Sequence, residues 1–111
     1  MATITAQPFR LALLQLANLT EVKGANIAIA QKAVAEAAAS KVKPDLIVLP
    51  EIWNSPYEVA SFAKNAERVP NAGKEPTRGE GETITALREM AKAAGCWLIG
   101  GEPFSDHKQG Q

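Results

Sequence analysis

Three short apolar runs, Phe9–Leu16, Asp45–Leu49 and Cys96–Ile99, are separated by two longer stretches with helical periodicity. This alternation constrains the fold more than any other feature. Phe9–Leu16 is interrupted only by Arg10 and Gln15, and its length suits a strand buried on both faces. Leucine and alanine would equally suit a helix, so context decides. Between the first two runs, Gly24–Lys41 is rich in alanine, the best helix former, and places Ile27, Ala30, Val34, Ala37 and Lys41 on one face. Pro44 stops that helix and Pro50 ends the second strand. Residues 51–56 read as irregular, and residues 57–68 as holding a short helix. Residues 69–81, with two prolines and three glycines, read as a loop. The second long helix, Glu82–Ala94, carries Ile84, Leu87, Ala91 and Ala94 as its apolar stripe, and Gly95 is a suitable C-terminal cap. The order strand, helix, strand, helix, strand predicts an α/β fold with right-handed crossovers and a largely parallel sheet.

The totals narrow the function. Twelve basic and twelve acidic residues balance to a formal charge of zero, so neither nucleic acid nor an acidic membrane is an expected partner. The single cysteine, Cys96, rules out an internal disulfide and favours a reducing compartment. The N-terminus lacks the pattern of a secretory signal, and no apolar run approaches the ~20 residues of a membrane span. The expected location is the cytoplasm, with the mitochondrion as the organelle alternative.

In an open α/β sheet, chemistry gathers beyond the carboxyl ends of the strands. Glu51 stands there, directly after the second strand, with Pro50 restricting the backbone before it. A carboxylate so placed can serve as a general base; position alone favours the plainer reading of a solvated loop acid. Its neighbours favour the base. Leu49-Pro50-Glu51-Ile52-Trp53-Asn54-Ser55-Pro56-Tyr57 resembles the first catalytic motif of the nitrilase superfamily, and most specifically that of its omega-amidase branch. Phe9–Leu16 is similar to that branch's opening strand, and Leu98-Ile99-Gly100-Gly101 to its third. The resemblance covers residues 9–101.

The resemblance implies the N-terminal part of a four-layer α-β-β-α sandwich. It also implies a glutamate–lysine–cysteine triad that hydrolyses carbon–nitrogen bonds other than peptide bonds. Glutamate takes the thiol proton, the thiolate attacks an amide carbonyl, and lysine stabilises the oxyanion; ammonia leaves and water cleaves the thioester. Glu51 would be the general base and Tyr57 would line the substrate pocket, whereas Asn54 and Ser55 would shape the loop. Substrates would be ω-monoamides of dicarboxylic acids, such as α-ketoglutaramate. No cofactor or metal is implied, and a full-length member is expected to be a homo-oligomer.

Neither the lysine nor the cysteine motif stands in these residues. Cys96 opens the third strand after a helix cap and reads as a small packed hydrophobe, not a nucleophile. His107 reads as solvated, and nothing around Lys108 fits the lysine motif. We therefore expect a disordered, polar N-terminus at 1–8, a partial carbon–nitrogen hydrolase domain at 9–101 and a divergent tail at 102–111, the whole being inactive alone. Two rivals remain. One is a non-catalytic fragment that pairs with the complete enzyme. The other is a receiver-like module, which lacks its acidic pair after Leu14-Gln15-Leu16 and its phosphoacceptor aspartate at Pro50-Glu51.

Overall fold

The computed structural model describes residues 7–17, 19–56, 58–67 and 81–101. Six elements follow one another: β1 (Leu11–Leu13), α1 (Lys23–Ala38), β2 (Leu46–Val48), α2 (Val59–Asn65), α3 (Glu82–Ala94) and β3 (Trp97–Ile99). The strands form one parallel sheet in the order β1-β2-β3, with Leu11, Leu46 and Trp97 in one row and Leu13, Val48 and Ile99 in another. This is the expected α/β arrangement, and it is consistent with the N-terminal part of the nitrilase sandwich.

The strands are shorter than their apolar runs. Pro44 and Pro50 bracket β2, and neither has an N–H to donate, so the central strand limits what its neighbours can pair with. The bonds Leu14 N–H to Val48 O (2.9 Å) and Leu49 N–H to Ile99 O (2.8 Å) carry the pairing a little beyond the three-residue cores. Helix α1 ends at Ala38, short of Lys41. There the Ser40 hydroxyl lies within hydrogen-bond distance of the carbonyls of Ala37 (2.7 Å) and Val42 (2.9 Å) and can donate to either, offering the backbone an alternative to another helical turn.

One row of the sheet, Ala12–Ile47–Leu98, packs toward α1 and α3. The core consists of Ile27, Ala30 and Val34 of α1, Ile47 and Leu49 at β2, Trp53 of the following loop, and Ala86, Met90 and Ala94 of α3. Two expectations need correction. Strand β1 is not buried on both faces: Leu11 and Leu13 are exposed, as are Trp97 and Ile99 in β3. The strand order 1-2-3 moves the chain the same way at each crossover, and right-handed crossovers then put both long helices on one side. On α3 the most buried positions are Thr83, Ala86, Met90 and Ala94, while Ile84, Leu87 and Ala91 are half-buried. The apolar residues alone misplace that stripe by about one position, because its centre includes Thr83, a polar residue buried through its hydrogen bonds.

Candidate active site

Glu51 lies two residues past the last backbone bond of β2 to β3, at the carboxyl end of the central strand, and its side chain is exposed. Gly101 stands beside it. A Cβ on Gly101 would run into the Glu51 carbonyl oxygen and lie 3.1 Å from the Glu51 carbonyl carbon, so only glycine permits this approach. At the preceding glycine, Gly100, a Cβ would come within 2.7 Å of Leu87 Cδ2 and 3.2 Å of Trp53 Nε1, a milder constraint because both are side-chain atoms and the leucine methyl can shift. The paired glycines after β3 thus let the Glu51 backbone and the Trp53 indole close against the neighbouring strand end.

After Glu51 the chain turns inward. Trp53, Asn54 and Ser55 have no exposed surface. Asn54 is tied on two sides. Its Nδ2 donates to Thr83 Oγ1 of α3 (2.9 Å), and its carbonyl accepts from Asn26 Nδ2 of α1 (3.0 Å). Asn26 in turn donates to the Thr20 carbonyl (2.7 Å) and accepts from the Thr20 N–H (2.7 Å). Asn54 and Ser55 therefore belong to the scaffold under Glu51.

The structure adds a residue that pattern reading missed. Glu67 is 5% exposed and follows α2. Its carboxylate accepts the Thr83 N–H (3.0 Å) and the Thr83 hydroxyl, and pairs with Lys23 Nζ of α1 at 2.9 Å. The residue before α3 is Gly81, whose φ of 146° favours glycine and which has no side chain with which to cap the helix. Glu67 supplies that cap from elsewhere in the chain and sets a negative charge at the positive end of α3. A glycine at the cap position with a threonine two residues later was the available signal, but nothing in the spacing pointed to residue 67 as the partner.

Burial acts to raise the Glu67 pKa, but the Thr83 hydroxyl, the Thr83 N–H and the Lys23 ammonium together outweigh it and hold the group below the ordinary value of 4.5. A depressed folded value means that the stabilisation is complete above 4.5 and is lost as pH falls through the folded value below it. Urea midpoints of the wild type should therefore fall on acidification below that point, and those of Glu67→Gln should fall less over the same range. Equal acid sensitivity of the two would refute the assignment.

Cys96 sits at the other end of the sheet. Leu46 pairs with Trp97, so Cys96 lies level with Asp45, whereas Glu51 lies beyond Leu49. Four extended residues separate those levels, roughly 13 Å at ~3.3 Å each. That is too far for a proton to pass directly between thiol and carboxylate. Cys96 is half-buried against the core, not fully enclosed. Cys96→Ser should cost on the order of 1 kcal/mol of stability. The native thiol should react with an alkylating reagent no faster than an unactivated thiol; a rate more than tenfold higher would count against a packing role. Tyr57, His107 and Lys108 lie outside the described residues. Among the described residues, no cluster of three or more histidine, cysteine or acidic side chains could hold a metal ion, and no helix is long and apolar enough to cross a membrane.

The family model described as carbon-nitrogen hydrolase matches residues 10–111. The protein named Omega-amidase NIT2 in Danio rerio is 40% identical over 93 residues, covering 84% of this chain and 29% of that protein. The protein of the same name in Homo sapiens is 38% identical over an equal span. A chloroplastic omega-amidase of Arabidopsis thaliana is 43% identical over 94 residues, covering 84% of this chain and 23% of its own length. The matches are to hydrolases of the amidase type, and they cover most of the chain. The chain belongs to the carbon-nitrogen hydrolase family, and it spans less than a third of the length of these relatives.

Proposed function

We propose that this chain carries the base-bearing segment of an omega-amidase centre, with Glu51 as the general base. The observation that carries the reading is the placement of Glu51: a solvent-facing carboxylate at the end of the central parallel strand, on a backbone packed closely against Gly101 and continued by a buried loop. A solvent-facing carboxylate fixed at its backbone can reach a thiol on an opposing element, take its proton, and later take one from water. The lysine that stabilises the oxyanion and the cysteine nucleophile would come from segments corresponding to the rest of the relatives' length. The substrates proposed are ω-monoamides of dicarboxylic acids, with Tyr57 lining their pocket and no cofactor needed. The assembled enzyme would be a homo-oligomer in the cytoplasm or an organelle.

The test is a chimera in which residues 9–101 replace the matching segment of the Danio rerio omega-amidase. Ammonia release from α-ketoglutaramate should persist. A chimera that folds, by circular dichroism and thermal melting, yet shows no turnover would overturn the proposal. The bare apolar face at Leu11, Leu13, Trp97 and Ile99 supports a second reading, in which the chain pairs with a complete copy of the enzyme without catalysing anything. Co-purification with the complete enzyme, with no gain in its turnover, would select that reading.

A further inference from the structure

Asn54 is fully buried, its Nδ2 donates to Thr83 Oγ1, and its Oδ1 has no hydrogen-bond partner among the described residues. A buried acceptor left unpaired is costly, and a side-chain amide can usually avoid that cost by rotating its oxygen onto a nearby donor. The Thr83 hydroxyl is the nearby donor, but its single proton is already committed to Glu67 Oε2. A carboxylate can only accept, so Thr83 must donate to it and can only accept from Asn54. Asn54 therefore has to present its NH2 group, and its oxygen faces away from the hydroxyl.

We propose that Glu67 is a positioning residue for Glu51: by accepting the hydrogen bond of the Thr83 hydroxyl it sets the direction of a buried relay, Glu67–Thr83–Asn54, that fixes the conformation of residues 51–56. The inference rests on the reading of Glu51 as the base, since only then does its placement matter to a reaction. The relay holds the far end of this segment, and at the near end the Glu51 backbone packs against Gly101 with no room for a Cβ between them. Lys23 pairs with the same carboxylate oxygen from the side of α1 and helps keep it ionised, but the direction of the relay follows from the carboxylate's inability to donate, not from the ion pair itself.

Glutamine at position 67 replaces one carboxylate oxygen by an NH2 donor and removes the charge. Its NH2 can donate to Thr83 Oγ1, which frees the threonine proton to reach Asn54 Oδ1, and the amide of Asn54 then turns over. The experiment is NMR of the 111-residue chain and of Glu67→Gln, Thr83→Val, Thr83→Ser and Lys23→Met. It follows the Asn54 side-chain NH2 signals, the indole signal of buried Trp53 against that of exposed Trp97, and the proton–proton contacts between Gly101 and Glu51. In Glu67→Gln and Thr83→Val, exchange of the Asn54 NH2 with solvent should rise about tenfold, the scale of one lost hydrogen bond. The Trp53 signal should move and the Gly101–Glu51 contacts weaken, while Trp97 stays in place. Thr83→Ser should restore the native pattern, and Lys23→Met should keep it.

Unchanged Asn54 and Gly101–Glu51 signals in Glu67→Gln would overturn the proposal. So would an equal rise in exchange at every amide of the chain, or a Lys23→Met spectrum that matches Glu67→Gln. If Glu67→Gln does not fold, the contrast between Thr83→Val and Thr83→Ser decides alone. None of these signals depends on turnover. A relay that fails here and a chimera that fails to release ammonia are therefore separate results.

Discussion

The purified 111-residue chain should release ammonia from α-ketoglutaramate no faster than buffer does. Acyl transfer of this kind needs a thiolate within reach of the base and a cation opposite the developing oxyanion. The one thiol present, Cys96, lies at the amino end of β3, while Glu51 projects from the carboxyl end of β2. No reorientation of side chains closes a gap of that order within a parallel sheet whose register is set by paired backbone. In comparable covalent enzymes, loss of the nucleophile alone lowers kcat on the order of 10⁶-fold. The check is a coupled ammonia assay on the chain and on Cys96→Ser. Turnover near that of an intact omega-amidase, abolished by Cys96→Ser, would make Cys96 the nucleophile and overturn the site described here.

In the chimera, Glu51→Gln should lower kcat by about 10²–10⁴-fold, the usual loss on removing a general base. Glutamine keeps the shape of the side chain and the Gly101 contact, which involves only the backbone of residue 51, so the fold should be unaffected. KM should change much less than kcat, because the carboxylate is proposed to act on the sulfur and on water, not on the acid group of the substrate. Glu51→Asp should fail as well, since it withdraws the carboxylate by one methylene from a backbone that cannot follow. Glu58, an exposed acid beside α2, provides the control: Glu58→Gln should leave kcat within a few-fold. Steady-state kinetics of the four proteins decide the matter. If the two glutamine variants behaved alike, Glu51 would be an ordinary loop acid.

The element order and the place of Glu51 were legible in the sequence for simple reasons. Alanine-rich periodicity marks α1, Gly95 caps α3 with a φ of 67°, and two prolines bracket the central strand. Pro50 and the leucine before it then leave position 51 as the first residue free to project from the strand's carboxyl end. The paired glycines were equally visible, although the reason for them was not. Gly101 is needed because the Glu51 carbonyl occupies the space of its Cβ, a contact between residues far apart in the chain.

What the linear pattern could not determine is whatever depends on which segments meet. The apolar run of β1 read as suited to burial on both faces, but the strand order 1-2-3 with right-handed crossovers sends α1 and α3 to a single face and leaves Leu11 and Leu13, with Trp97 and Ile99 of β3, uncovered. Thr83, Asn54, Asn26 and Glu67 are polar side chains that hydropathy assigns to the surface. They are buried because each finds a partner on another element, and the cost of desolvation is offset only once those elements have docked. The sequence by itself thus determined the alternation of elements and the residue at the strand end, through local propensity and chain breakers. Only the tertiary structure decided which face stays bare and which buried carboxylate supports the loop, because both are properties of long-range packing.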